Sequence, residues 1–298
     1  MQVSQHQLAF VESENPWRPT EVVAEINLSV DLGLKLVGLD DLVGGTSGAA
    51  YVRSSDGREF ALTRTKTEVK LMRLTAEILE LAKSHGVPVP SHEVVLELSD
   101  GYVAVVQERL PGRRPTSVNA ERVDAMVAMN ERFADLLLDR PDVPPPVAFP
   151  SGDAYLDTLG SYSARSRRLL GELAALSPGE MASDDLVHTD YTLGNILYDD
   201  NGDISAVVDW NRGVARGDRR FALIGTRHNL PEEAALYGVL PEAITRLDEI
   251  IRATIDPDLL KIFSSLWAAH NLHTSIKNNF TADRIEHDLQ YVEAIVYE

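Results

Sequence analysis

The stretch 186–210, LVHTDYTLGNILYDDNGDISAVVDW, limits what this chain can fold into more than any other segment. A short polar loop holding His188, Asp190 and Asn195 leads into the apolar run Ile196-Leu197-Tyr198. Asp199-Asp200-Asn201-Gly202 follows, with the Asn-Gly pair that favours a tight hairpin turn. The second run, Ile204 to Val208, is β-branched and apolar and ends on Asp209-Trp210. Antiparallel strands return a chain to its starting point, so the two ends of this hairpin are neighbours. Asn195 and Asp209 then face one small volume, with Asp190 a few residues upstream. An amide oxygen and two carboxylates gathered there suit a hard cation and a proton acceptor. A polar turn and an N-cap explain each residue alone, but not their convergence.

Composition removes several alternatives. The chain has 298 residues, 44% hydrophobic and 25% charged, which is enough for a sizeable core and ordinary for a globular protein. With no cysteine, disulfides, thiolate zinc sites and cysteine nucleophiles are excluded together. Nothing near Met1 combines a basic start with an apolar run, and no apolar segment approaches a membrane span, so the expectation is a soluble cytoplasmic protein without a membrane partner. A formal charge of −18 argues against nucleic acid, whose phosphates need a basic face. It fits a cationic substrate and an acidic proteome background equally well.

Along the chain, residues 1 to 18 lack periodicity, and Pro19-Thr20-Glu21 opens an amphipathic helix ended by Gly33. Strand patterns follow at 36–39, 49–53 and 59–64, the first two separated by the glycine-rich Gly44-Gly45-Thr46-Ser47-Gly48. The next helix is expected to open on a capping box pairing Thr65 with Glu68, to bury Leu71, Leu74, Ile78 and Leu81, and to stop at Gly86 and Pro88. Two more strands, near 94–96 and 102–107, precede the break Glu108-Arg109-Leu110-Pro111-Gly112. Beyond it the pattern is almost entirely helical: 120–140, 152–176, then 231–237, 241–254, 257–279 and 281–297, with a glycine- and arginine-rich loop from 211 to 220. The fold class is α+β, with a β-rich lobe over 1–108 carrying one main helix and a larger helical lobe over 109–298.

His188-Thr189-Asp190 with Asn195, then Val208-Asp209-Trp210 and Gly217-Asp218, resembles the aminoglycoside phosphotransferase and choline kinase family. These are small-molecule kinases of protein-kinase-like fold, whose usual pattern is H-G-D-x-x-x-x-N-I-L, then I-D-W, then G-D-P-x-x-D-L-A. The order of the whole chain follows the family: meander with glycine loop, helix, Val87-Pro88-Val89-Pro90, hinge strand, catalytic loop, helical tail. The resemblance implies that Asp190 accepts the proton of the attacking hydroxyl, that Asn195 and Asp209 hold Mg2+ against the phosphates, and that His188 buttresses the loop. It implies ATP or GTP as co-substrate, cradled by Gly45, Thr46, Ser47 and Gly48, with the base against the hinge residues Gln107, Glu108 and Leu110. Phosphoryl transfer independently requires cations held in place and one oriented base.

Three departures stand out. The family's third-strand lysine is missing; Thr63 and Arg64 follow Leu62, so Arg64 takes the cationic role by a one-residue shift, with Lys66 as the alternative. Its ion-pair partner on the next helix is Glu77 by helical angle, with Glu68 and Glu80 competing. The aspartate expected after Gly217-Asp218 is Ala222.

For the acceptor, residues 231–298 hold twelve acidic against five basic side chains, an acidic helical wall suited to a cationic substrate. Trp267, His270 and Asn271 share a helix face that is either a substrate surface or core and solvated exterior. Three functions stay open. The first is O-phosphorylation of a cationic antibiotic, either an aminoglycoside or a tuberactinomycin-type peptide, giving resistance. The second is a metabolite kinase of choline, amino-sugar or homoserine type, and the third a nucleotide-binding regulator without turnover.

Overall fold

The computed structural model describes residues 18–40, 48–146, 153–176 and 183–297. Alternating apolar residues build one antiparallel sheet from β1 (Lys35–Leu39), β2 (Ala50–Arg53), β3 (Glu59–Thr65), β4 (His92–Glu97) and β5 (Val103–Glu108), in the order β1-β2-β3-β5-β4. Side chains alternate between the two faces of a strand, and each face here has its own partner. Phe60, Leu62, Ala104 and Val106 pack with Val22, Val23 and Ile26 of helix α1 (Pro19–Ser29). Val103 and Val105 instead meet Met72 of helix α2 (Val69–Ser84).

The capping box expected at the start of α2 does not form. Glu68 is the N-cap residue and makes no side-chain cap bond, while the Thr65 hydroxyl is used elsewhere. The far side of α2, through Ile78, Leu79 and Ala82, belongs to the largest core cluster, which continues into the helical region as far as Trp267. The change from sheet to helix after Glu108 is therefore not a break in packing.

The helical region comprises α3 (Ala120–Glu131), α4 (Asp153–Tyr162), α5 (Ala164–Leu176), α6 (Arg220–Tyr237), α7 (Pro241–Thr254), α8 (Pro257–Lys277) and α9 (Ala282–Tyr297). The single helix expected over 152–176 is two, because Ser163 and Ser166 exchange side-chain-to-backbone bonds of 3.0 Å that stop one helix and start the next. Helix α6 begins eleven residues before Pro231, so that proline lies inside the helix instead of opening it. A two-stranded ladder absent from the sequence reading, β6 (Asp185–Val187) with β9 (Ala215–Gly217), closes the base of the polar loop. No helix among the described residues is long and apolar enough to cross a membrane.

The linker between sheet and helices is tied down at the end of α6. Val118 N–H donates to Gly238 O at 3.1 Å and Leu240 N–H to Val118 O at 2.9 Å. Gly238 caps the helix at φ 60°, and a Cβ there would lie 2.6 Å from Thr116 O. Gly238→Ala should lower the unfolding free energy by about 2 kcal/mol, adding left-handed strain to that contact, which urea denaturation of the purified variant would measure.

Candidate active site

The 186–210 stretch folds as a loop, a 3-10 turn at Leu193–Asn195, and the hairpin of β7 (Ile196–Tyr198) and β8 (Ile204–Val207). The hairpin turn is longer than the Asn-Gly pair alone would make it. Asp199 accepts from the N–H groups of Asn201 and Asp203, both at 2.9 Å, and spans the loop. The ends still meet as expected: Val208 N–H donates to Asn195 O at 2.8 Å.

His188 organises the loop. Its Nε2 lies 3.0 Å from Val208 O and its Nδ1 3.1 Å from Asp190 N. A carbonyl can only accept and an amide N–H can only donate, so Nε2 carries the proton and Nδ1 is bare. The ring is buried against Trp210 at 4.2 Å, and that burial depresses its pKa despite the neighbouring carboxylates. Tyr191, also buried, donates to Met126 O at 2.9 Å and anchors the loop to α3.

Asp190, Asn195 and Asp209 converge on the floor of a cleft of about 1460 Å³ between sheet and helices. Asn195 Nδ2 donates to Asp190 O at 2.8 Å and lies 3.4 Å from Asp190 Oδ2, which turns its Oδ1 acceptor the other way. Burial, and then the charge of Asp190, raise the pKa of Asp209. A buried carboxylate beside another acid and an amide oxygen is a donor set that a hard divalent cation satisfies. Among the described residues no cluster of three or more His, Cys, Asp or Glu encloses a metal.

Gly48, Gln107, Glu108 and Leu110 line the same cleft, while Gly45, Thr46 and Ser47 lie outside the described residues. Arg64 and Lys66 both line the cleft, but Arg64 is already committed: it stacks on Tyr102 at 3.5 Å and pairs with Asp100, while Thr63 lines the cleft beside them. Glu77 is likewise no partner for a strand cation; it is exposed and reaches Arg140 at 3.2 Å. Trp267 is core, packed on Phe221 and beside Gly225, and neither it nor Asn271 nor His270 lines the cleft. His270 touches the site at one remove, with Nε2 3.4 Å from Arg212, whose other terminal nitrogen is 3.7 Å from Asp190.

Of the arginines in the 211–220 loop, Arg216, Arg219 and Arg220 pair with Asp184, Asp185 and Asp218, leaving Arg212 as the one that reaches the described cleft lining. The acidic wall is smaller than the sequence count implied. Of the described acidic residues from 231 onward, Glu232 and Glu233 line the cleft, Glu232 being paired with Arg284, while Asp248, Glu286, Asp288 and Glu293 are matched with arginines elsewhere.

Sequence reasoning missed Glu233, Arg114 and Asn211. Glu233 accepts the Leu193 N–H at 3.3 Å and so holds the 3-10 turn. Arg114 bridges Gly194 O at 3.0 Å and Asp40 at 2.7 Å, joining the catalytic-loop side to the end of β1. Asn211 donates to Asp209 Oδ1 at 2.7 Å. Only Glu233 left a signal, as half of an acidic pair at a proline.

A model of the phosphotransferase enzyme family matches residues 40–216. The chain belongs to that family. It is similar in fold to a thermostable mutant of aminoglycoside phosphotransferase APH(4)-Ia in a ternary complex with ADP and hygromycin B, at 19% identity, TM-score 0.62, covering 88% of this chain and 93% of that one. An amicoumacin kinase, hAmiN, in complex with AMP-PNP, Ca2+ and Ami matches at 16% identity and TM-score 0.60, over 94% and 96% of the two chains. An aminoglycoside-3'-phosphotransferase of type VIII matches at 22% identity and TM-score 0.59, over 83% and 98%. No curated protein sequence matches significantly. The chain is thus a phosphotransferase with a β-sheet N-terminal region and a helical C-terminal region.

Burial, and then Asp190, push the Glu233 carboxyl up to about 7, against the opposing pull of the Leu193 and Gly194 N–H groups. The folded protein therefore binds a proton that the unfolded chain releases from its ordinary value of 4.5, and stability falls as pH climbs from 4.5 through 7. Glu233→Gln keeps an acceptor for Leu193 without titrating. Urea midpoints of both proteins at pH 5 and pH 8 should show the wild type losing ground to the variant at the higher pH.

Proposed function

We propose that this phosphotransferase moves the γ-phosphate of ATP or GTP to a hydroxyl of a small cationic substrate, an antibiotic of aminoglycoside or tuberactinomycin-peptide type, and so confers resistance. The convergence of Asp190, Asn195 and Asp209 at the cleft floor carries the reading. In it, residues 1–108 form the nucleotide-binding lobe and 109–298 the catalytic and acceptor-binding lobe.

Asp190 accepts the proton of the attacking hydroxyl, its backbone held by the bare Nδ1 of His188. Asn195 Oδ1 and Asp209 would hold a magnesium ion, which would supply positive charge to offset that of the transferring phosphate. Gln107, Glu108 and Leu110 receive the base, and Gly45, Thr46, Ser47 and Gly48 wrap the phosphates. Glu232, which already pairs with Arg284, and Glu233, which loses its proton more readily when a cation approaches, offer carboxyl oxygens to an ammonium group on the helical side of the cleft and draw the acceptor hydroxyl toward the base. Hygromycin B in the APH(4)-Ia complex is in keeping with such an acceptor.

Turnover of ATP and GTP over a panel of aminoglycosides, tuberactinomycin-type peptides, choline, amino sugars and homoserine tests the proposal. Phosphorylation of an antibiotic supports it. Activity confined to choline, an amino sugar or homoserine would replace it with the metabolite-kinase reading, and magnesium-dependent nucleotide binding without any turnover with the regulator. With an accepted substrate in hand, Asp190→Ala should lower kcat by about 10²–10⁴-fold while calorimetry shows nucleotide still bound. Near-normal turnover in that variant would move the base elsewhere.

A further inference from the structure

Where the family places a lysine, β3 offers Thr63 to the cleft, and its hydroxyl is already engaged. Thr63 Oγ1 donates to Asn211 Oδ1 at 2.8 Å. Thr65 Oγ1 and Thr67 Oγ1 both donate to the main-chain oxygen of Asn211, at 2.8 and 2.6 Å, and Thr67 N–H donates to Thr65 Oγ1 at 3.1 Å. On its other side Asn211 donates Nδ2 to Asp209 Oδ1 at 2.7 Å, and its backbone N–H bonds to the same carboxylate. Both ends of the amide are therefore committed, which fixes its rotation.

The three threonines come from β3 and the approach to α2, whereas Asp209 and Asn211 come from the loop after β8. That loop is docked further along α2. Gly213, at φ 83°, would bring a Cβ within 2.7 Å of Leu71 Cγ, and Val214 N–H donates to Thr75 Oγ1 at 3.1 Å. Asp209 itself has φ 63°, a backbone region that a non-glycine residue holds only where its surroundings over-determine it.

We propose that Asn211, gripped by Thr63, Thr65 and Thr67, is a positioning residue that links β3 to the cation-holding carboxylate of Asp209. The proposal rests on the phosphotransfer reading above. A lysine on β3 would touch phosphate directly and help any nucleotide, with or without metal. Threonine hydroxyls aimed at Asn211 act on phosphate only through Asp209. The clamp therefore favours the metal–nucleotide complex and contributes nothing to the free nucleotide.

The test is calorimetric titration of AMP-PNP with and without Mg2+, alongside thermal unfolding, for the wild type, Thr63→Val, Thr63→Ser and Asn211→Ala. Thr63→Val keeps the side-chain shape and removes the donor. It should weaken Mg2+–AMP-PNP binding about five-fold and leave metal-free AMP-PNP binding unchanged. Thr63→Ser should restore wild-type behaviour, and Asn211→Ala should cost about thirty-fold in the metal complex. If Asn211→Ala fails to fold, the Val and Ser variants decide the question by themselves. Equal weakening with and without metal, or wild-type affinity in folded Thr63→Val, overturns the clamp alone. A wild-type protein that takes up no Mg2+–nucleotide overturns the phosphotransfer reading and the clamp with it.

Discussion

A neutral imidazole between two backbone groups holds the rest of the site in place. His188 donates from Nε2 to Val208 O and accepts the Asp190 N–H at Nδ1, so one ring spans the end of β8 and the polar loop. Protonated, it would lose the acceptor at Nδ1 that holds the Asp190 N–H, although the two neighbouring carboxylates favour the charge. Burial against Trp210 prevents this by disfavouring the charged form. Asp190 and Asp209 belong to different segments, and they come together because this ring fixes the distance between their backbones. Trp210 in turn donates to Val207 O at 3.1 Å and meets Phe133 edge-on, which carries the restraint into the helical core.

The hairpin argument was legible because it needed only strand parity and chain return. Ile196 pairs with Val207 whatever the turn, so the longer loop spanned by Asp199 left Asn195 and Asp209 together. Parity also bears on Arg64. Shifting the family lysine by one residue turns the side chain toward the other face of β3, where Arg64 meets Asp100 and Tyr102 while still lining the cleft. Strand limits were readable from the sequence, but the buried face of β3 was not, since Thr63 and Leu62 are both buried. Glu77 failed for a related reason: helical angle places a residue on a face without saying which element covers that face.

Other losses came from competition for the same polar group. Thr65 followed by Glu68 has the pattern of a capping box, yet the hydroxyl bonds Asn211, distant in sequence and adjacent in space. Pro231 looked like the first residue of a helix, but α6 had already run from Arg220, where Asp218 accepts the Arg220 N–H at 2.9 Å and orders its first turn. The charge count over 231–298 was accurate and still overstated the acidic wall, because Arg165 and Arg227 pair with acids away from the cleft and Arg284 pairs with Glu232 within it. In each case the local pattern was correct and a partner from another segment reassigned it.

The packing helps to explain how a two-lobed arrangement with no ion pair between β3 and α2 among the described residues stays in register. Helix α2 gives one side to the sheet through Met72 and the other to the main core through Ile78, Leu79 and Ala82. The loop after Asp209 is stitched to the same helix by Thr75 and Leu71 and to β3 by Thr63. Arg114 adds a second crossing at the other side of the cleft, between Asp40 and Gly194 O. The relative position of the sheet and the polar loop is thus set by apolar packing and hydrogen bonds between short side chains, with the Arg114–Asp40 pair at the rim. Neutral bonds between short side chains tolerate little change in length. Such a joint holds Asp209 to one place, whereas a long lysine would have tolerated movement between the lobes.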